Sequence, residues 1–443
     1  MIGVFALVVP VLAAALAVRA LPEDDTAVRG WLDEHLAGLV ETYRHLHAHP
    51  ELSLAEHETA AAVATQLRAS GYAVTEGVGG TGVVGILANG DGPTVLVRGD
   101  MDALPVVEET GLPYASTVRV ATPAGGTVGV MHACGHDVHT TVLLGTGAAL
   151  SALRARWAGT VVLVAQPAEE IGRGALGMIA DGLFERFPRP DATLALHVSP
   201  ELPVGRIGYT SGFHAANVDS VDIIVHGRGG HGARPHQAID PIVAAAEIVT
   251  VLQTLVSRRV SPTDPAVVTV GSFHGGTKHN VIPDTVTMQL TVRSYSDEVR
   301  ALLLDGIRQI AVDTCRAYRC PVPPTVTVSD EYTPAAYNDP ALTASAVSVF
   351  SGIFGAEAMV ELQPGMTGED YGRYARVLDV PGFMFRLGSV PRAVYDASRA
   401  PDGPPLPSIH SSQFAPDDAG SLRVGVRAMS NLALALLAPP ESR

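Results

Sequence analysis

A chain of 443 residues is too long for one ordinary core, so two domains are expected. A hydrophobic fraction of 47% argues against disorder, and a net charge of −15 with no basic run argues against nucleic acid as a partner. Only three cysteines are present, so this is no disulfide scaffold.

The chain opens on an apolar stretch from Ile2 to Val18. Ala20, with Val18 two positions earlier, fits a signal-peptidase site, so residues 1–20 read as an export signal. The stretch lacks a leading Lys or Arg and is borderline in length for a membrane span. An uncleaved anchor and a mis-assigned start codon are therefore the alternatives. Export to a periplasmic or extracellular location is the expectation; on the alternatives the protein is membrane-anchored or cytoplasmic.

Apolar spacing predicts helices over Thr26 to Ala48 and Glu56 to Ala69, the second ended by Gly71. A repeated unit follows, in which a short apolar strand runs into a polar loop. Thr94 to Val97 leads into Arg98-Gly99-Asp100-Met101-Asp102, and Val161 to Ala165 into Gln166-Pro167-Ala168-Glu169-Glu170. Asp191 to Leu196 ends at His197, and Gly382 to Gly388 is a further strand. Helices are expected over His139 to Leu153 and Gly174 to Phe184. Strands this short and apolar read as the core of a mostly parallel sheet with helices on both faces. In such sheets the carboxyl ends of the strands form the ligand crevice.

From Val221 the pattern changes to strand, helix, strand, strand, helix, strand: Val221–His226, Pro241–Val256, Val267–Phe273, Val286–Val292, Asp297–Tyr318 and Thr325–Val328. That order is the split βαβ, ferredoxin-like arrangement. The fold class is therefore α/β with an inserted α+β domain. The boundaries are 26–212 and 332–438 for the two parts of the first domain and 213–331 for the insert. Cys315 and Cys320 would either pair locally in an exported protein or remain two buried thiols.

The chemistry centres on Met131-His132-Ala133-Cys134-Gly135-His136-Asp137-Val138-His139. Cys134 and His136 lie two apart across a glycine, so both can turn toward one ion. Thiolate and imidazole suit zinc, with manganese, cobalt or nickel as alternatives. A His-rich surface loop with a buried Cys is the competing explanation. The Glu169-Glu170 pair can divide its labour on extended backbone: one carboxylate binds metal while the other takes a proton from water. A solvated acidic turn is the competing explanation there. His197 could equally be a core histidine, and His410 alone carries no weight.

Taken as a set, Arg98 to Pro105, His132 to Asp137, Gln166 to Glu170, Gly227 to His231, Asn280 to Asp284, Thr367 to Asp370 and Ile409 to Ser411 resemble the M20 metallopeptidase family. The closer likeness is to its amidohydrolase branch of auxin-conjugate hydrolases, hippurate hydrolases and N-acyl-amino-acid deacylases. The likeness runs from about residue 30 to 435.

The resemblance implies that Cys134, His136, Glu170, His197 and His410 hold two divalent ions per subunit, zinc or manganese, with cobalt or nickel as alternatives. Glu169 would be the general base, and Asp100 and Asp137 would lie near the metals. Arg98 stands where the wider family has a His. The insert looks like the family's lid and dimerisation surface, so a homodimer is implied. His231 would reach the partner's active site to stabilise an oxyanion, Asn280 would help hold substrate, and Arg293 is a weaker candidate for a substrate carboxylate. The expected activity is metal-dependent hydrolysis of the amide of an N-acyl amino acid. A dipeptidase or carboxypeptidase with the same chemistry is the alternative. An exported, non-catalytic binder of metal or acyl-amino acid is the alternative from another class.

Overall fold

The computed structural model describes residues 22–122, 125–330 and 332–437. The expected export signal at 1–20 lies outside the described residues.

The first sheet has eight strands in the order Ala73–Val78, Gly82–Asn89, Gly159–Gln166, Thr94–Asp100, Ala192–Pro203, Gly382–Val390, Ile207–Tyr209, Met359–Glu361. Its centre is parallel: Thr94–Asp100 pairs in parallel with both Gly159–Gln166 and Ala192–Pro203, and the latter pairs in parallel with Gly382–Val390. The β-rich runs Val95-Leu96-Val97 and Val161 to Ala165 are buried on both faces, as parallel strands between helical layers must be. The strand expected to end at His197 continues to Pro203. His197 thus sits within a strand, held in register with Arg386 of Gly382–Val390.

Helix His136–Ala152 is buried almost all round. It packs on the sheet and beneath helices Pro22–Ala48 and Asp418–Leu436. Pro22–Ala48 presents Val28, Leu32, Leu39 and Tyr43 at helical spacing to this core. The helix expected over Gly174 to Phe184 is broken into Gly174–Ala180 and Leu183–Arg186 by Gly182, whose φ of +83° a helix cannot accommodate.

The second sheet has the order Ala266–Gly275, Thr285–Ser294, Asn217–His226, Thr325–Val328, antiparallel throughout. Helices Pro241–Thr254 and Asp297–Ala317 contribute Ala244, Ile248, Leu252, Leu303 and Ile307 to a core of its own. Strand order and connections are those of the ferredoxin-like arrangement. The strict alternation of Thr285–Ser294, with Val286, Met288, Leu290 and Val292 buried, reflects one face on this core. Helix Pro241–Thr254 ends in a wide turn over Leu255–Arg259, where a plain helix to Val256 was expected. Cys315 and Cys320 are free thiols, the first buried and the second partly exposed.

One ionic clamp joins the layers. His47, near the end of Pro22–Ala48, is fully buried, with Nδ1 2.7 Å from Asp137 Oδ2 and Nε2 3.0 Å from Glu108 Oε1. Burial alone would pull its pKa down. The hydrogen bonds to Asp137 and Glu108 outweigh burial and push it up to about 10. A group whose pKa rises on folding contributes stability that is complete below its unfolded value near 6.5 and lost as pH climbs toward 10. Urea midpoints of the metal-free protein should therefore fall between pH 6.5 and pH 10, and His47→Gln should flatten that slope.

Candidate active site

Four separate chain segments meet at the carboxyl rim of the first sheet. Cys134 and His136 flank Gly135, which caps the helix with φ +81°. A Cβ on Gly135 would sit 2.6 Å from Val198 Cγ2, so the tight turn needs glycine for space as well as for φ. Glu169 and Glu170 follow Ala168, a non-glycine residue at φ +52°. His197 comes from its strand. His410, at φ +64°, is held by its N–H donating to Ala133 O at 2.8 Å.

The donor atoms converge. Cys134 Sγ lies 3.4 Å from His197 Nε2, His136 Nε2 3.9 Å from Glu170 Oε1, and His410 Nε2 3.4 Å from Glu170 Oε2. Cys134, His136 and His197 form one group with ligand atoms within 4.8 Å of one another, and Cys134, Glu170 and His410 form another. The two groups share Cys134. His136 Nε2 and Glu170 Oε1 are buried with no hydrogen-bond partner among the described residues. Orphaned buried atoms in a thiol, imidazole and carboxylate set fit a divalent cation of the zinc type.

A surrounding set of bonds fixes how the donors face. His136 Nδ1 is 3.2 Å from Asp102 Oδ1, and His197 Nδ1 is 2.7 Å from Val198 O. With each Nδ1–H donating there, both Nε2 atoms keep a lone pair for a metal. Asp102 also accepts from Ser53 Oγ at 2.7 Å and from Glu170 N–H at 3.0 Å. Burial opposes its charge, but the hydrogen bond with His136 outweighs it and the pKa is lowered.

Asp100 is engaged elsewhere. Its Oδ2 accepts from Arg98 Nη1 at 2.6 Å and its Oδ1 lies 2.6 Å from His139 Nδ1. Asp137 turns to His47. Arg98 spreads under the site, donating to Gln166 Oε1 and Asp370 Oδ1, with Glu369 Oε1 at 3.1 Å.

Among the groups displaced upward are a thiol and a carboxyl. Burial raises the Cys134 thiol, so a cation entering the site displaces its proton. Burial, followed by the charges of Glu369 and Asp370, raises Glu169 well above the usual carboxylate range. Glu169 lines a cleft of about 440 Å³ together with Cys134, Glu170, His197, Arg293, Arg386 and His410.

The cleft therefore gathers Glu169, Arg293 and four of the five residues expected to ligate metal, while the fifth, His136, is buried within reach of Cys134 and His197. The cleft does not gather His231 or Asn280, which are exposed on the second unit and are not among the residues lining it. His231 sits in a two-residue strand paired with Val281–Ile282. Two residues around the site, Asp102 and Arg386, were not singled out from the sequence. Asp102 had a signal, since it alternates with Asp100 and so projects on the same side of extended backbone.

Replacing Asp102 with Ala should lower divalent-metal affinity by roughly 10- to 100-fold. Metal titration checks this, with circular dichroism to confirm an unchanged fold.

The geometry has counterparts in known proteins. The chain is 35% identical to a thermostable carboxypeptidase of Saccharolobus solfataricus over 94% of this chain and 98% of that one. It is 36% identical to an N-acetylcysteine deacetylase of Bacillus subtilis over 79% of this chain and 88% of that one. A solved structure from Bacillus subtilis, described as a dinuclear metal-binding peptidase from the M20 family, superposes with a TM-score of 0.73 at 31% identity. That match covers 91% of this chain and 99% of the other. Residues 96–402 match the peptidase family M20/M25/M40, and the chain belongs to that family as a metal-dependent amidohydrolase.

Proposed function

We propose that this enzyme hydrolyses the amide bond of N-acyl amino acids. The observation carrying this reading is a partly buried carboxyl, Glu169, beside a convergent set of side chains able to hold metal, in a cleft that also holds Arg293. Arg293 Nη1 is buried without a partner among the described residues, as befits a group awaiting a carboxylate.

Cys134, His136, Glu170, His197 and His410 would hold two divalent ions, which when bound polarise the scissile carbonyl and lower the pKa of water. Glu169 takes a proton from the attacking water and hands it to the leaving amine. In the metal-free cleft burial, then the charges of Glu369 and Asp370, disfavour its ionised form. Arg293 positions the carboxylate of the amino acid. His231, exposed on the second unit, would donate to the developing oxyanion in a partner subunit, with Asn280 beside it on the same surface. This makes the active form a homodimer and the inserted unit a lid.

The carboxypeptidase among the relatives favours a second reading, cleavage of short peptides by the same groups. A binding-only role has no use for a base next to the ligand set.

Glu169→Gln should cut hydrolysis by about 10²- to 10⁴-fold while the bound metal content stays unchanged. Assays with acetyl-, benzoyl- and indoleacetyl-amino acids and simple dipeptides, each with several divalent metals, separate the two readings. Equal activity in the wild type and the variant would remove Glu169 from its role.

A further inference from the structure

The cleft holds a cation that the reading above does not use. Arg386 lies in Gly382–Val390 between Phe383-Met384-Phe385 and Leu387. It is in register with His197 on the neighbouring parallel strand, and residues paired in this way project from the same face of a sheet. On its other side it faces Gly208. A Cβ there would come 3.1 Å from Arg386 Cβ and 2.5 Å from Leu362 Cδ1, so the missing side chain leaves room for the arginine stem. Arg386 lines the same cleft as Glu169 and Arg293.

Among the described residues the guanidinium of Arg386 makes no hydrogen bond and no ion pair. Five N–H donors are thus uncommitted. Glu369 is the acid that acts on it most strongly, yet Glu369 is held 3.1 Å from Arg98. His214, close enough to feel the Arg386 charge after the larger effect of burial, is neutral and supplies no counter-charge. A partly buried cation in this state gains from an arriving anion, because pairing offsets the cost of what desolvation it has. Arg293 has an unpartnered buried Nη1 in the same cleft. The carboxylate of an N-acyl amino acid occupies one arginine. Two arginines, one from each sheet, fit two carboxylates.

We propose that Arg386 is a specificity-determining residue that binds a second carboxylate of the substrate, so that the preferred substrates are dianions. This rests on the amide-hydrolase reading. The second carboxylate belongs either to an acidic amino acid or to a dicarboxylic acyl group. A purely electrostatic role, in which Arg386 only offsets Glu369 and Glu169 from a distance, would affect all substrates alike.

The test compares metal-loaded wild type with Arg386→Leu and Arg386→Lys. Substrates are N-acetyl-L-alanine, N-acetyl-L-aspartate, N-acetyl-L-glutamate and N-succinyl-L-alanine, and calorimetry measures succinate binding. Wild type should favour at least one dianion over N-acetyl-L-alanine by about tenfold or more in kcat/KM. The favoured class tells on which side of the amide the carboxylate lies. Arg386→Leu should raise KM for that dianion roughly 10- to 100-fold while leaving N-acetyl-L-alanine within about threefold. Arg386→Lys should restore part of the loss, which guards against a folding defect in the leucine variant. Hydrolysis without a dianion preference, or an equal loss for every substrate, overturns the proposal. If no substrate is cleaved but succinate binds wild type about tenfold more tightly than the leucine variant, the subsite stands and the hydrolase reading fails. Equal succinate binding by all three proteins overturns the subsite whether or not hydrolysis is seen.

Discussion

His136 Nε2 and Glu170 Oε1 are buried with nothing to bond among the described residues. Each such atom costs about 1–3 kcal/mol relative to one with a partner. The surrounding structure leaves them no route to relief. Asp102 holds the opposite nitrogen of His136 and the backbone N–H of Glu170, so ring and loop cannot swing toward other partners. Arg98 and His139 saturate Asp100, the carboxylate nearest to His136 Nε2 at 3.6 Å, and keep it from closing on that nitrogen. The two atoms are thus held 3.9 Å apart, too far to hydrogen-bond to each other, which leaves both directed at a shared centre where a metal can enter.

That arrangement depends on the parallel sheet. Asp100 and Gln166 end adjacent strands in register, and His197 and Arg386 lie in register on the next two strands. Residues from positions 98 to 410 therefore share one rim. The backbone is forced where the rim is built: Ala168 and His410 are non-glycine residues at positive φ, immediately before the Glu169-Glu170 pair and at the last donor. Backbone strain of about 1–3 kcal/mol per residue persists only where packing over-determines it. Here Arg173 and Gly174 both donate to Ala168 O, and Ala133 O holds the His410 amide.

Much of this was legible in the sequence. Apolar four- and five-residue strands, each ending in polar residues, identified the parallel sheet and its rim, because a buried strand has little choice of composition. The spacing of Cys134 and His136 across Gly135 pointed to a metal without any knowledge of the partners. What was not legible depends on contacts between distant segments. Nothing near Asp137 announces that it faces His47 from a helix 90 residues earlier, and nothing near Asp100 announces that Arg98 and His139 take both its oxygens. Arg386 was legible in principle, since a charged residue inside Gly382–Val390 contradicts its apolar neighbours. A strand position alone does not reveal whether a cation is paired. The long helix Asp418–Leu436 carries no motif, and its repeating apolar positions are its one sequence signal.

The second unit bears no part of the metal-binding set, yet Arg293 reaches the cleft from its central strand Thr285–Ser294. A substrate held by that arginine would bridge the two sheets, which ties binding to their relative position. The most direct measurement is anomalous scattering from crystals of the metal-loaded protein at the absorption edge of the bound metal. Peaks within bonding distance of Cys134, His136, Glu170, His197 and His410, with Asp100 still held by Arg98, are the expected result. Peaks bound instead by Asp100 and His139, or none in this cleft, would contradict it.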